Sequence, residues 1–265
     1  MPVKGFSRYL KLFSNIQNPF EYLFNKGQRF TRSLVFTTKP FAIHFTVPES
    51  LYQVFKEIFM ADVYNINYLT KILPEKPVVI DIGANAGYFD VLLLSKINRA
   101  KIFAYEPLPY NIDMIKSVVK QNVWLQQNLS FNQKAVTGIK KEKLELFMEN
   151  TGNNQVVASV FPDFDTRNNS KISVPCISLT DIIEQNNMLQ IDLLKMDCEG
   201  SEYDIIYNTD KNYVQRIKIM VAEVHDLDSE RNNIRALTIY LKSLAFSVKY
   251  SSINNACYAL EAIKE

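Results

Sequence analysis

The sequence predicts an α/β protein in which a mainly parallel sheet is covered by helices on both faces. From residue 78 onward, apolar runs of strand length alternate with helical patterns, and this alternation is typical of a parallel sheet. The first run, Val78–Ile82, leads into two glycines four residues apart, Gly83 and Gly87, and then into a helical pattern. Two later apolar runs end in acidic residues or histidine, at the strand ends where ligands of such sheets bind.

Composition limits the number of domains and the classes of partner. A chain of 265 residues with 47% hydrophobic and 22% charged residues is long enough for one large domain with a substantial core. We predict an N-terminal helical and hairpin extension at 1–47 and a main domain at 48–265. A net charge of +2 is too small to indicate nucleic acid as a partner.

Cysteine usage and hydropathy predict where the protein works. Cys176, Cys198 and Cys257 are odd in number and far apart, which indicates free thiols in a reducing compartment. The sequence contains no run of about 18 apolar residues, so we predict no membrane-spanning helix. The N-terminal residues contain no continuous apolar core before a cleavage site, which argues against a signal peptide. We therefore expect a cytoplasmic protein whose only membrane contact is peripheral, at the inner face.

The N-terminal segment is basic and amphipathic. Residues 1–40 hold seven Lys or Arg against one acid, Glu21, a net of +6, so the rest of the chain carries −4 because the total is +2. Residues 6–35 follow a helical pattern that breaks at Asn18–Pro19. Two interpretations stay open: a helical cap packed on the main domain, or a basic-aromatic surface that rests on a membrane or a lipid-linked substrate.

The remaining elements follow in order. Alternation around Lys39–Pro40 predicts a short hairpin, and residues 48–73 predict two helices that end at Pro74. The next predicted elements are a strand at Val78–Ile82, a helix at Tyr88–Lys96, a strand at Lys101–Glu106, a helix at Ile112–Lys120 capped by Asn111, a strand around Leu129–Ala135, and β segments at Leu144–Met148 and Val156–Phe161 around the polar loop Glu149–Gln155. The last are strands at Ile172–Ile177, Ile191–Asp197 and Lys218–His225, helices at Ile182–Gln185 and Arg231–Leu244, and a terminal antiparallel pair at Phe246–Ser251 and Cys257–Ala262.

The glycine turn and the next strand together indicate a nucleoside cofactor. Glu106 follows Asp81 by 25 positions, at the end of the next strand, where a carboxylate can accept both hydroxyls of a ribose. The turn lacks the middle glycine of the dinucleotide fingerprint, because Asn85 stands between Gly83 and Gly87. Asp81 would repel a pyrophosphate but suits a cationic ligand, so the pattern favours S-adenosylmethionine over a nicotinamide cofactor. A plain structural turn is the remaining alternative.

Polar residues also interrupt two later apolar strands. Lys195 occupies a position where an apolar side chain is expected, and burial of an unpaired ammonium is costly. Glu223 and His225 share one face of the following strand. If the two strands are neighbours, Lys195 pairs with Glu223 in a structural ion pair. Asp197, at the end of its strand, and His225 lie where a substrate is expected.

Four motifs in this order resemble the FkbM family of S-adenosylmethionine-dependent methyltransferases. They are V-V-I-D-I-G-A-N-A-G-Y-F, F-A-Y-E-P, D-L-L-K-M-D-C-E-G-S-E and A-E-V-H, and the likeness covers roughly residues 50–225. It implies a class I methyltransferase (Rossmann-like) fold, with a seven-stranded sheet whose last strand is inserted antiparallel. It also implies methylation of a hydroxyl oxygen, commonly that of a sugar in a glycan, a lipid or a natural product. Cys198 departs from the aliphatic residue usual in the family.

The resemblance assigns roles to the polar residues of these motifs. The predicted cofactor-binding set is Asp81, Gly83, Asn85, Gly87, Tyr88, Glu106, Pro107 and Asp197. The predicted substrate-binding residues are Lys195 and Glu223, with a small molecule or glycan as the acceptor. No residue is assigned as a metal ligand.

A general base assists methyl transfer to a sugar hydroxyl, because the hydroxyl is a poor nucleophile. His225 is the first candidate since its unperturbed pKa lies nearest to neutral pH, and Asp197 and Glu199 compete for the role. A divalent-metal site built from Asp197, Glu223 and His225 is an alternative. Other functions left open are a nicotinamide-dependent oxidoreductase, a methyltransferase with a non-sugar acceptor, and a cofactor-binding module without catalysis. The oligomeric state is not predicted.

Overall fold

A computed structural model describes residues 5–25, 32–148, 158–161 and 169–265. Within these ranges the α-helices are α1 (Ser7–Asn15), α2 (Phe20–Asn25), α3 (Tyr52–Phe55), α4 (Ile66–Ile72), α5 (Tyr88–Leu94), α6 (Pro109–Gln121), α7 (Leu179–Gln185), α8 (Glu202–Asn208), α9 (Lys211–Val214) and α10 (Ile234–Ser243). The strands are β1 (Leu34–Thr37), β2 (His44–Val47), β3 (Val78–Ile82), β4 (Lys101–Tyr105), β5 (Leu129–Asn132), β6 (Ala135–Thr137), β7 (Lys143–Met148), β8 (Ser170–Ser178), β9 (Leu193–Met196), β10 (Ile219–His225), β11 (Phe246–Ser252) and β12 (Cys257–Lys264). Turns of 3₁₀-helix lie at Glu49–Leu51 and Val123–Gln127, and a π-helical turn lies at Lys56–Ala61.

The central sheet has seven strands in the order β11-β12-β10-β9-β3-β4-β5. Its inner strands pair in parallel, and β12 alone runs antiparallel, between β10 and β11. The inner strands are almost entirely apolar because helices cover both of their faces, as in parallel sheets generally. This topology confirms the predicted fold class, including the inserted last strand.

The N-terminal segment packs directly on the main domain. The predicted hairpin is present, with β1 antiparallel to β2 and Leu34 opposite Val47. Phe45 of β2 stacks on Phe59 with ring centroids 4.9 Å apart and also contacts Tyr88 at the start of α5. These rings belong to one buried cluster that reaches the central sheet. The domain boundary at 47/48 stays a prediction, because the extension shares this core.

A second, small sheet departs from the predicted order. The strand expected around residues 129–135 is two strands, and β6 leaves the central sheet to pair in parallel with β8. β7 lies antiparallel on the other side of β8. Ser159 and Phe147 exchange backbone hydrogen bonds of 2.8 and 3.0 Å, which extends β pairing to the end of the predicted segment 156–161. The polar loop at 149–155 lies outside the described residues.

Local corrections have clear causes. α6 begins at Pro109, whose fixed φ suits the first turn of a helix, so Asn111 is not its cap. Asn111 is instead buried and donates to Glu106. Ser178 caps α7, since its hydroxyl accepts a hydrogen bond from the Asp181 amide at 3.0 Å. Among the described residues, no helix combines the length and apolar character needed to cross a bilayer.

Candidate active site

The carboxyl ends of β3, β4 and β9 meet at a pocket of about 630 Å³. Such ends converge because parallel strands point the same way, so loops far apart in sequence line one crevice. Apolar walls come from the small sheet, through Val136, Leu144 and Leu146. The predicted site residues that line the pocket are Gly83, Asn85, Glu106, Pro107, Asp197 and Glu199.

Glu106 is the acidic group on the β4 side of the pocket. One of its oxygens accepts from the Asn85 amide at 2.9 Å, and the other accepts from the Leu108 amide at 2.9 Å and from Asn111 at 3.2 Å. Burial raises the pKa of Glu106 to about 7, although these three hydrogen bonds favour the charged form. The carboxylate therefore ties the glycine turn to the end of β4 and presents an acceptor to the pocket.

Gly83 is required by the approach of a second loop. A Cβ atom at this position would lie 1.8 Å from the carbonyl oxygen of Asp197, and the residue has φ = +75°. Gly87 also has a positive φ, but its Cβ would meet the side chain of Ile115 at 3.0 Å. Gly87 is thus a packing position between α5 and α6, outside the pocket lining, while Gly83 lets the loops after β3 and β9 touch.

Lys195 and Asp81 form a buried ion pair, which makes the predicted Lys195–Glu223 pair wrong. The Lys195 ammonium lies 3.0 Å from Asp81 and donates to the carbonyl oxygen of Gly83 at 2.6 Å. The two residues are opposite each other in the register of β9 and β3, and both side chains are almost fully buried. Lys195 has no access to a substrate and Asp81 none to the pocket, so both position the glycine turn.

One further carboxyl group, that of Asp90, is buried next to this pair. Burial lowers the pKa of Lys195, but Asp81 and Asp197 outweigh burial and raise it, so the ammonium stays charged. Burial and the adjacent Asp81 raise the pKa of Asp90 well above its usual value, so Asp90 is neutral. The buried group thus carries one positive and one negative charge.

Lys195→Met is expected to destabilise the protein by about 3–5 kcal/mol, because it leaves the Asp81 carboxylate buried without its cation. Urea unfolding measures the change. The double variant Lys195→Met/Asp81→Leu removes both charges and should recover much of the loss. Equal destabilisation in the single and double variants would show that the ion pair is not the cause.

Tyr88 lies outside the pocket. Its ring is buried against Phe45, and its hydroxyl donates to the carbonyl oxygen of Thr46 at 2.9 Å. Tyr88 is the first residue of α5, and its side chain packs against β2 of the N-terminal segment. The predicted cofactor contact is therefore not made by this side chain, which instead anchors the extension.

Asp197, Glu199 and His225 converge beside the pocket, as predicted from their positions near strand ends. His225 Nε2 lies 3.7 Å from an oxygen of Glu199 and 3.7 Å from an oxygen of Glu223. Burial lowers the pKa of His225, partly offset by Asp197, so the imidazole is neutral near pH 7. Burial, then the charge of Asp197, raises the pKa of Glu223 to about 7. A neutral imidazole flanked by carboxyl groups can accept a proton and hold it.

Two positioning residues were not assigned from the sequence. The Tyr64 hydroxyl donates to Asp197 at 2.5 Å, and burial raises the pKa of Tyr64 well above its usual value, so it stays a donor. Glu202 accepts from the amides of Cys198 and Gly200, both at 3.0 Å. These bonds hold the loop in which Glu199 adopts φ = +52°. The short D-C-E-G-S-E motif was a signal for Glu202, whereas nothing local marked Tyr64.

The structure changes the residues of the alternative metal site, which the sequence placed at Asp197, Glu223 and His225. Within the described part of the chain, Glu223, His225 and Cys257 each offer one atom that could bind a metal ion, and these three atoms lie within 4.8 Å of one another. Asp197 is not part of this group. The Cys257 thiol donates to Glu223 at 3.0 Å, and burial raises its pKa, which keeps the thiol protonated. That no metal is needed stays a prediction.

Known proteins that this chain resembles in sequence and fold include methyltransferases. Residues 81–248 match the model of the methyltransferase FkbM domain. The chain is 26% identical over 211 residues to methyltransferase sdnD of Sordaria araneosa, covering 69% of this chain and 78% of that protein. It is 24% identical over 185 residues to the 31-O-demethyl-FK506 methyltransferase FkbM of Streptomyces tacrolimicus, covering 60% and 70% of the two chains. The solved methyltransferase FkbM of Methylobacillus flagellatus superposes with a TM-score of 0.51 at 12% identity, over 76% of this chain and 47% of that one, which supports the fold.

Proposed function

This chain belongs to the FkbM methyltransferase family, and from that premise we propose that it transfers the methyl group of S-adenosylmethionine to a hydroxyl oxygen. The proposed acceptor is a sugar hydroxyl in a glycan, a glycolipid or a nucleotide sugar. The observation that carries the proposal is the set of groups around one pocket. Glu106, Asp197 and Glu199 line the pocket, and His225 Nε2 lies 3.7 Å from an oxygen of Glu199. The name of the FK506 relative describes an O-demethylated substrate, which supports oxygen as the acceptor atom.

The pocket residues suit the nucleoside end of this cofactor. Glu106 would accept a ribose hydroxyl at the oxygen that bonds the Asn85 amide, because a carboxylate has about four acceptor sites and three of them are already used. Gly83 and Asn85 would bring the main chain close to the ligand, and Asp197 would face its cationic end. Bound in this way, S-adenosylmethionine supplies an electrophilic methyl group.

His225 is the proposed general base. In this role His225 Nε2 would accept the proton that the acceptor hydroxyl loses when its oxygen is methylated. The resulting imidazolium lies 3.7 Å from both Glu199 and Glu223, which stabilise the new positive charge. Tyr64 holds Asp197 in place by donating to its carboxylate, so the acidic group does not turn toward the imidazole.

Cofactor affinity is expected to depend on pH through Glu106. The pKa of this group is raised to about 7, and the charged carboxylate is the stronger acceptor for a ribose hydroxyl. Affinity for S-adenosylhomocysteine should therefore be highest above that pKa and fall as the pH drops through it, by at most about tenfold per pH unit. Calorimetry across pH 5.5–8.5 measures this. Glu106→Gln should bind more weakly at high pH and show a flat profile, whereas a wild-type profile that is flat would contradict the assignment.

Two assays decide between the proposal and its alternatives. Labelled methyl transfer from S-adenosylmethionine onto a panel of glycans, nucleotide sugars, amines and carboxylic acids should label a sugar hydroxyl. Labelling of amines or carboxylic acids alone would replace the acceptor class. Thermal stabilisation by NAD(H), with none by S-adenosylhomocysteine, would favour the nicotinamide-dependent oxidoreductase and overturn the proposal.

A further inference from the structure

The helices α1 and α2 expose large apolar side chains on one surface. A soluble protein normally shows such side chains singly, and a contiguous group marks an interaction surface. Three of them follow helical spacing, one directly before α1 and two on it, and the other two lie on α2. We call this group the aromatic patch; its members and exposed fractions are Phe6 (78%), Leu10 (61%), Phe13 (40%), Phe20 (54%) and Phe24 (77%).

The patch is continuous across the two helices. The rings of Phe13 and Phe20 meet edge to face with centroids 5.8 Å apart, and Phe20 stacks on Phe24 at 5.8 Å. Residues from two separate helices thus form one apolar surface. A surface assembled in this way presents several rings at once to whatever lies against it.

The opposite side of the same helices is firmly packed. Leu12 and Ile16 are fully buried in the core. The Asn15 amide donates to the carbonyl oxygen of Phe59 at 3.0 Å, and the Lys11 ammonium lies 2.9 Å from Asp62. The aromatic patch is therefore the outward face of a docked element, and none of the residues that the structure describes covers it.

The charge of the surrounding sequence selects the partner. Residues 1–40 carry a net of +6, while the rest of the chain carries −4 because the total is +2. Among the described residues, Lys11 lies 2.9 Å from Asp62 and Arg32 lies 3.5 Å from Glu21, so these two cations are partly neutralised within the protein. The excess positive charge of the segment in the sequence favours an external anion as its partner. A two-fold dimer through the patch would bring two such basic segments together, and like charges in an interface are unfavourable.

We propose that the aromatic patch docks this protein on the surface of an anionic lipid bilayer. Phenylalanine and leucine side chains enter the boundary between headgroups and acyl chains, and the basic segment is attracted to the lipid phosphates. This inference uses none of the pocket residues and stands apart from the proposed methyl transfer.

Vesicle flotation of the full chain tests the proposal. The protein should float with vesicles of phosphatidylcholine and phosphatidylglycerol, bind less as salt is added, and remain unbound with phosphatidylcholine alone. The triple variant Phe6→Ser/Leu10→Ser/Phe24→Ser should bind at least about tenfold more weakly, since it removes three apolar side chains from the lipid boundary. Leu189→Ser, at an 86% exposed residue outside the patch, is the matched control and should bind like the wild type.

Three results would overturn the inference. One is the absence of wild-type flotation with anionic vesicles, and another is unchanged flotation of the triple variant. The third is a wild-type dimer that becomes a monomer in the triple variant without any vesicle binding, which would assign the patch to a second copy of the chain. All variants should keep the wild-type melting temperature, because the substituted side chains are exposed.

Discussion

His225→Ala is expected to lower kcat by about 10²–10⁴-fold, the usual contribution of a positioned general base. His225 is the imidazole beside the pocket, and its two neighbouring carboxyl groups stabilise the charge that it gains. Binding of S-adenosylhomocysteine should change little, because the cofactor pocket is lined by other residues. Initial rates with an identified acceptor and calorimetry with S-adenosylhomocysteine separate the two effects.

The chain supplies a matched control and a pH signature. His44 is the second histidine, exposed on β2 and hydrogen-bonded to Thr37, so His44→Ala should keep wild-type kcat. Burial lowers the pKa of His225 from 6.5, and a base works in its neutral form, so wild-type kcat at saturating S-adenosylmethionine should fall only below pH 6.5. Full kcat in His225→Ala would move the role to Asp197 or Glu199. Loss of activity on chelation with EDTA would instead indicate a metal site.

Gly83→Ala is expected to abolish cofactor binding and to destabilise the fold by more than about 4 kcal/mol, in the range reserved for severe steric conflicts. The new methyl group would lie 1.8 Å from the Asp197 carbonyl oxygen, a backbone atom that cannot move without moving the loop after β9. A positive φ adds about 1–2 kcal/mol for alanine. Denaturant unfolding and calorimetry with S-adenosylhomocysteine measure both losses.

Two other glycines with positive φ separate steric conflict from backbone strain. At Gly5 a Cβ atom would have no neighbour within 4 Å, so Gly5→Ala shows the strain alone. At Gly87 it would meet a side-chain atom of Ile115 at 3.0 Å and no backbone atom at a shorter distance, so Gly87→Ala should fall between the other two. A Gly83→Ala protein as stable as Gly5→Ala would mean that the two loops do not touch in solution.

The sequence predicted the features that depend on local order along the chain. Val78–Ile82 was identified as a strand because its residues are apolar or β-branched and a glycine turn follows. The hairpin around Lys39–Pro40 and the terminal antiparallel pair were likewise marked by alternation and turn residues. The placement of Glu106 in the pocket followed from one further rule, that consecutive parallel strands end at the same edge.

Contacts between distant segments were not available to such reasoning. Lys195 was recognised as a buried cation, but the partner predicted for it, Glu223, was wrong, because strand neighbours depend on the order of the sheet. β9 lies beside both β3 and β10, and the register places Asp81 opposite Lys195. The Tyr64 hydroxyl reaches Asp197 across 133 positions of sequence, and no local pattern predicts such a contact.

The sequence by itself therefore determined the fold class, the family and the edge of the sheet that holds the site, because periodicity and short motifs are properties of neighbouring residues. The tertiary structure decided which charges are buried in pairs and which remain available for chemistry. Burial and distance set both the pKa and the partner of each group, and neither can be read from position in the chain. On these grounds Asp81 and Lys195 support the glycine turn, while Glu106 and Asp197 face the pocket and His225 lies beside it.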